Sequence, residues 1–326
     1  MQPPKLLGDL YLGIDVGGTN VKIGLVDDAG NVYARTATAT PPLGTPERVF
    51  QFAHQFAIEQ LRSHDVPATR LKAVGLAVPG VLDTQRSVLR EVVNLPGWLG
   101  ESLKQILSDV TRLQAAVVND ANAAAYAEHA LRNLGNQSLA LVTLGTGVGC
   151  GVVVAGRPHG GDHGCAGELG HIAIDFSSDA IPCTCGSRGH LESYAGSAGV
   201  VARLQSLWTD NAESMPATTI EIASRAEQGD PLCLQAIDET AMYVGRAIGM
   251  MGQTVNPAVV LIGGAMTFGG NETSTGLRFL DGIRKSVVAT TLVQVGGNLK
   301  IEYASLGNDA GMLGAARVAK RTFLEG

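Results

Sequence analysis

Asp15 ends an apolar run, Leu12-Gly13-Ile14, and is followed by Val16, Gly17, Gly18, Thr19 and Asn20 before the chain resumes with Val21, Lys22 and Ile23. A strand that ends on a carboxylate and turns through paired glycines suits a tight hairpin whose backbone amides approach a phosphate-like anion. A carboxylate repels phosphate unless a divalent cation lies between them, and hard oxygen ligands and phosphates share Mg²⁺ in this way. An ordinary hairpin with a solvated Asp15 is the competing reading of these residues. A second run, Gly145-Thr146-Gly147-Val148-Gly149, sits between Leu141-Val142-Thr143-Leu144 and Val152-Val153-Val154. Laid on the first, Ile14 matches Val142 and Gly17 matches Gly145. Two related halves, each with one glycine hairpin, would clamp a polyphosphate between them.

Asn119 and Asp120 stand where the apolar run from Leu113 to Val118 gives way to an alanine-rich stretch, Ala121 to Leu131. Side chains at such a junction project into a cleft at the carboxyl end of the strand. For phosphoryl transfer to a hydroxyl, one carboxylate near the nucleophile suffices, because positioning and charge neutralisation are the main tasks. The same pair also suits a helix N-cap, without the acidic partner of a capping box.

Cys183-Thr184-Cys185-Gly186-Ser187-Arg188-Gly189-His190 places two thiols and an imidazole on one loop, and His171 lies just upstream. Two thiolates and two imidazoles are the closed tetrahedral set of a structural Zn²⁺. Two free thiols with incidental histidines is the alternative, and redox chemistry is disfavoured because the spacing is not CxxC. A metal that fixes His171 and the loop leading to Glu192 would hold Glu168 and Glu192 as acceptors for the hydroxyls of a polyol. Either glutamate alone reads as a solvated surface charge.

These residues need a scaffold. A chain of 326 residues has the length of about two domains. Its strands alternate with helices, which implies an α/β layered fold. Strands are expected over Leu10 to Asp15, Val21 to Asp27, Asn31 to Ala37 and Leu71 to Val78, with further strands over Ala258 to Ile262 and Ile301 to Ala304. Helices are expected near Pro46 to His64, Ala198 to Leu207, Ile220 to Glu227 and Pro231 to Gln253, with a last helix starting at Asn308-Asp309. The net charge of −6, without a Lys/Arg cluster, speaks against nucleic-acid and anionic-membrane partners. Residues 133–156 carry no charge, but their glycines fit two short buried strands around a turn better than a membrane span. The start of the chain lacks a secretory pattern, and the five cysteines are an odd number, so a reducing cytoplasm is expected. Gly145 to Gly149 is GxGxG rather than GxGxxG, and no GxxxxGK[ST] occurs, which disfavours the dinucleotide and P-loop folds.

Taken in order, Asp15-Val16-Gly17-Gly18-Thr19, Val78-Pro79-Gly80, Asn94-Leu95-Pro96-Gly97-Trp98, Asn119-Asp120-Ala121-Asn122-Ala123, Gly145-Thr146-Gly147-Val148-Gly149, Glu168-Leu169-Gly170-His171, the cysteine loop and Gly263-Gly264 resemble the bacterial ROK sugar kinases over nearly the whole chain. The resemblance is greatest to the glucokinases of that family. It implies an α/β, actin-like ATPase (ribonuclease H-like) duplicated fold with two lobes around a central cleft. The smaller lobe would span 1–118, with a C-terminal helix near 309–326 packed back on it, and the larger 119–308.

The resemblance further implies ATP and Mg²⁺ as cofactors and phosphoryl transfer to a sugar, with Asp120 as general base at the 6-hydroxyl. Gly80, Asn94, Asn119, Glu168, His171 and Glu192 would contact the sugar. Asp15, Gly17, Gly18, Thr19, Asn20 and Lys22, with Gly145, Thr146, Gly147 and Gly149, would hold the phosphates, and Gly263 and Gly264 would lie near the adenosine. Structural Zn²⁺ would be held by His171, Cys183, Cys185 and His190, with His190 where the family's CxCGxxGCxE loop has a third cysteine, one negative charge fewer. Family relatives are commonly dimers, so a homodimer is expected. A kinase for mannose, fructose or an N-acetylated amino sugar is the alternative substrate reading. A sugar-sensing ROK regulator is the alternative function, and the first strand near Leu10 is expected to leave no room for a DNA-binding module.

Overall fold

The computed structural model describes residues 8–83, 85–92, 95–208 and 215–326. In chain order it begins with strands β1 (Leu10–Val16), β2 (Asn20–Asp27) and β3 (Val32–Ala39), helix α1 (Pro46–Ser63), and strands β4 (Leu71–Val78), β5 (Val81–Asp83) and β6 (Val88–Glu91). Helix α2 (Leu103–Thr111), strand β7 (Gln114–Asn119) and helix α3 (Asp120–Leu131) follow, then strands β8 (Leu139–Leu144), β9 (Val148–Val154) and β10 (Arg157–Pro158). The remainder is helices α4 (Leu191–Ala195), α5 (Ser197–Leu207), α6 (Thr219–Glu227) and α7 (Pro231–Val255), strand β11 (Val259–Gly263), helices α8 (Ser274–Thr290) and α9 (Val293–Gly296), strand β12 (Lys300–Tyr303) and helix α10 (Ala310–Glu325). Contacts divide the chain into two compact units. One comprises the residues up to Gly135 with Gly151–Ala166 and Asn308–Gly326; the other comprises Asn136–Cys150 and Gly167–Gly307.

The first sheet has the order β3-β2-β1-β4-β7. Strands β1, β2 and β3 form an antiparallel meander, while β4 runs parallel to both β1 and β7. Strand β1 is an almost unbroken buried apolar run, as expected of a central strand covered on both faces. On one face Leu12, Ile14 and Val16 pack with Val21, Ile23, Phe50, Ala53 and Leu61, the last three from α1. On the other, Tyr11, Val26 and Ala73 pack with Ala316 and Ala319 of α10. The alternation follows the period of two by which strand side chains change face. Helix α10 lies so close to the sheet that a Cβ on Gly75 would fall 1.9 Å from the Ala315 carbonyl oxygen.

The second sheet has the order β10-β9-β8-β11-β12, with β11 parallel to β8 and to β12. Strand for strand, this repeats the first order, with β8 in the place of β1 and β11 in that of β4. In the second unit Asp230 starts α7 by accepting the Leu232 and Cys233 N–H groups through Oδ1, with Pro231 in the first turn. Thr218 and Glu221 form a capping box on α6. Arg278 of α8 holds Asp238 of α7 through two nitrogens, at 2.7 and 2.6 Å. No helix among the described residues is long and apolar enough to cross a membrane, so the charge-free stretch 133–156 folds as the β8–β9 hairpin region.

Candidate active site

Asp15 and Asp120 lie toward the same end of the first sheet, Asp15 level with Val118 and Asp120 two residues further on. Asp15 pairs with Ala77 of β4, and Asp120 directly follows β7, whose Asn119 pairs with Val78. Both carboxylates therefore stand at the carboxyl ends of parallel strands flanking β4. Burial pushes the Asp15 carboxyl up to about 6; Lys22, with Nζ 3.9 Å from Oδ2, opposes the shift and the Asp120 charge adds to it. Burial also raises Asp120, against hydrogen bonds from the Ala121 N–H, its own N–H and the Asn119 side chain. Two partly desolvated carboxylates that repel one another form a hard-oxygen site that a divalent cation would relieve, so the residues fit Mg²⁺.

The hairpin that follows Asp15 is closed by the Gly17 N–H donating to the Asn20 carbonyl at 2.9 Å. Neither Gly17 nor Gly18 has a positive φ. Thr40, which is buried, clamps the turn: its hydroxyl donates to the Gly17 carbonyl at 2.6 Å and its N–H to the Thr19 carbonyl at 2.8 Å. Thr19 and Asn20 are exposed. Lys22 donates to the Asn308 carbonyl at 2.9 Å, just ahead of α10. The first turn of α10 packs on the acid itself, since a Cβ on Gly311 would lie 2.6 Å from an Asp15 carboxylate oxygen. The positive end of the α10 dipole thus faces Asp15. Neither Thr40 nor Gly311 carries a sequence signal for this role, because both reach the hairpin only through tertiary packing.

Asn119 caps α3 by accepting the Asn122 N–H at 3.1 Å, and its Nδ2 donates to the Gly80 carbonyl at 3.2 Å. The capping reading of this residue therefore holds, and the same side chain reaches the Gly80 loop. Asn122, a buried polar residue in the same motif, accepts the Val152 N–H at 2.8 Å. Asn94 lies outside the described residues.

In the second unit the Gly145 N–H closes its turn on the Gly147 carbonyl at 3.0 Å. The Ser197 N–H donates to the Gly145 carbonyl at 2.9 Å, and Glu192 Oε2 accepts the Val148 N–H at 3.0 Å. Thr146 lies in this turn against Gly196, and Gly149 packs on the Thr143 hydroxyl. Gly263 ends β11, and Gly264, with φ +89°, approaches the Leu144 backbone beside the same hairpin. Glu168 is exposed, starts the turn Leu169–His171, and lies near Cys150, whose thiol is pushed up to about 12 first by burial and then by the Glu168 charge.

His171, Cys183, Cys185 and His190 come together with their ligand atoms all within 4.8 Å of one another. His171 Nδ1 is 3.8 Å from Cys183 Sγ and His190 Nδ1 is 3.2 Å from Cys185 Sγ. Zinc bonded at about 2.0–2.3 Å spaces its ligands by roughly 3.3–3.8 Å, so a small contraction closes the set and the donors fit Zn²⁺. Burial raises the Cys183 thiol, but hydrogen bonds from Cys185, His190 and His171 outweigh it and bring the thiol down to about 6, toward the thiolate a metal needs.

Residues 11–322 match the ROK family, and the chain belongs to it. It is 31% identical over 322 residues to the glucokinase of Halalkalibacterium halodurans, covering 95% of each chain. Among solved structures, it resembles the ROK hexokinase from Thermus thermophilus with a TM-score of 0.80 and 31% identity, over 97% of this chain and 100% of that one. It resembles the Streptomyces griseus ROK family glucokinase, solved in complex with glucose and AMPPNP, with a TM-score of 0.69 and 28% identity, over 96% and 99% of the two chains. The repeated sheet order described above is that of the α/β actin-like ATPase fold.

Proposed function

We propose that this chain transfers the γ-phosphoryl group of ATP to the 6-hydroxyl of a hexose, glucose before others, with Asp120 as the general base. Its family and its relatives make it an ATP-dependent sugar kinase; the choice of hexose and the residue roles go further. The observation that carries the roles is that Asp15 and Asp120 stand at the ends of the two strands that flank β4, both held above the ordinary carboxylate range. A raised carboxyl is a better proton acceptor near neutral pH than an ordinary one.

In this reading Asp120 takes the proton of the attacking hydroxyl, and Asn119 fixes the start of α3 that carries it. Gly80, Glu168, His171 and Glu192 orient the remaining hydroxyls. Asp15 faces the divalent cation, and Gly17 to Asn20, Lys22 and the Gly145 to Gly149 turn face the phosphates, with Gly263 and Gly264 toward the adenosine. Bound Mg²⁺ supplies neutralisation of the charge on the transferring phosphoryl group. Zinc on His171, Cys183, Cys185 and His190 would brace the loop that leads to Glu192 without entering the reaction. No disulfide links any of the five cysteines, all of which lie among the described residues.

Asp120→Ala tests the assignment. Turnover should fall by about 10²–10⁴-fold while a non-hydrolysable ATP analogue still binds, because the group is needed only at the reacting hydroxyl. Unchanged turnover would move the base elsewhere, with Asp309 the next acid to test.

A further inference from the structure

We propose that Glu192 is a positioning residue for the nucleotide: its carboxylate locks the shape of the second glycine hairpin, over and above any contact with the sugar. The inference rests on the reading of that hairpin as a phosphate-binding turn. Glu192 is the second residue of α4, and its Oε2 accepts the Val148 N–H at 3.0 Å. Gly147 is shaped around it, because a Cβ there would fall 2.3 Å from the same oxygen. On the other side of Val148, a Cβ on Gly170 would fall 2.3 Å from the Val148 carbonyl oxygen, so the Glu168–His171 segment closes on the same residue. The Ser197 N–H, at the α4–α5 junction, holds the Gly145 carbonyl.

A turn with glycine at alternate positions has wide conformational freedom and needs outside contacts to hold one form. A carboxylate close to a phosphate-binding turn is an electrostatic liability, and here its oxygen is engaged by a backbone donor instead. The Gly145 and Val148 N–H groups are both committed within the protein, so neither is the amide offered to phosphate. Helix α4 starts from His190, whose Nδ1 faces Cys185, so the Cys/His loop, the sugar-facing glutamate and the hairpin are joined by three consecutive residues, His190 to Glu192, and one hydrogen bond.

The test is calorimetric binding of Mg²⁺·AMPPNP in the absence of sugar, with circular dichroism and zinc content checked for each variant. Glu192→Ala should weaken binding about tenfold or more, whereas Glu192→Gln, which keeps an acceptor oxygen, should stay within about threefold. Gly147→Ala leaves every charge in place but occupies the space of Oε2, and should weaken binding as Glu192→Ala does. The double variant should be no worse than either single one, because both remove the same contact. Unchanged or tighter nucleotide binding by Glu192→Ala would overturn the inference. Glu192→Gln falling as far as Glu192→Ala would also overturn it, since charge and not the bond would then be responsible. If Gly147→Ala fails to fold, the Ala/Gln pair at 192 still decides the matter. Wild-type protein that neither binds the analogue nor phosphorylates any sugar would defeat the proposed function instead, which separates the two failures.

Discussion

Asn119 joins the Gly80 loop to the start of α3 through one side chain: its Nδ2 donates to the Gly80 carbonyl at 3.2 Å while its Oδ1 accepts the Asn122 N–H at 3.1 Å. Asn119→Ala should therefore lower stability by about 1–2 kcal/mol, the usual cost of a lost cap. It should also raise KM for the sugar and lower kcat, because Asp120 is the first residue of the helix so capped. Asn119→Asp keeps the cap acceptor but sets a carboxylate against the Gly80 carbonyl, so most of the stability should return while the sugar KM stays raised. Thermal melts combined with steady-state kinetics separate the two effects. Equal loss of stability in both variants would contradict this division.

The position of Asp15 depends on how deeply α10 sits. A Cβ on Gly75 would strike the Ala315 backbone, which must move as a helix and not as a flexible side chain. Gly75→Ala is expected to destabilise the protein by about 1–3 kcal/mol or more, as overpacking does. It should also raise KM for ATP, because Gly311 of α10 packs on Asp15. A stable variant with unchanged nucleotide kinetics would show that the helix does not set the acid.

Glu227 makes the stability of the second unit depend on pH. The Thr275 and Ser274 hydroxyls and N–H groups donate to it at the start of α8 and hold its carboxyl down at about 2, below an ordinary 4.5. A depressed folded-state value means that its contribution is complete above about 4.5 and disappears as pH falls through about 2. Wild type should be more stable than Glu227→Gln at pH 6, and denaturation curves of the two should converge as the pH is lowered across that window. A constant difference at all pH values would contradict the assignment.

His190 is one of four side chains, with His171, Cys183 and Cys185, whose ligand atoms lie within 4.8 Å of one another. Elemental analysis of purified protein should find about one zinc per chain, and His190→Ala should lose it. His190→Cys adds a thiolate and should release metal to a competing chelator about tenfold more slowly. Stripped protein is expected to show a raised sugar KM through loosening of His171. Metal-free protein with full activity and unchanged stability would remove zinc from the account.

Much of this was legible in the sequence for physical reasons. The apolar runs of β1, β4, β7 and β11 are buried on both faces, so they read as strands directly. Pro46 and Asp230-Pro231 mark helix starts because proline suits the first turn and aspartate the cap. Helix α8 is absent from the sequence reading even though Phe279, Leu280, Ile283 and Val287 are spaced for a buried helical face. The clamps were not legible. Thr40 on the first hairpin, Gly311 on Asp15 and Glu192 on Val148 act across long stretches of chain, and only the folded backbone brings them into contact.

The most direct measurement of the central claim is a panel of hexoses incubated with purified protein, ATP and Mg²⁺, with the phosphorylated product identified by NMR. Glucose should give the highest kcat/KM, with phosphate on the 6-hydroxyl and ADP formed in equal amount. Absence of any ATP-dependent sugar phosphorylation, or a phosphate placed on another hydroxyl, would contradict it.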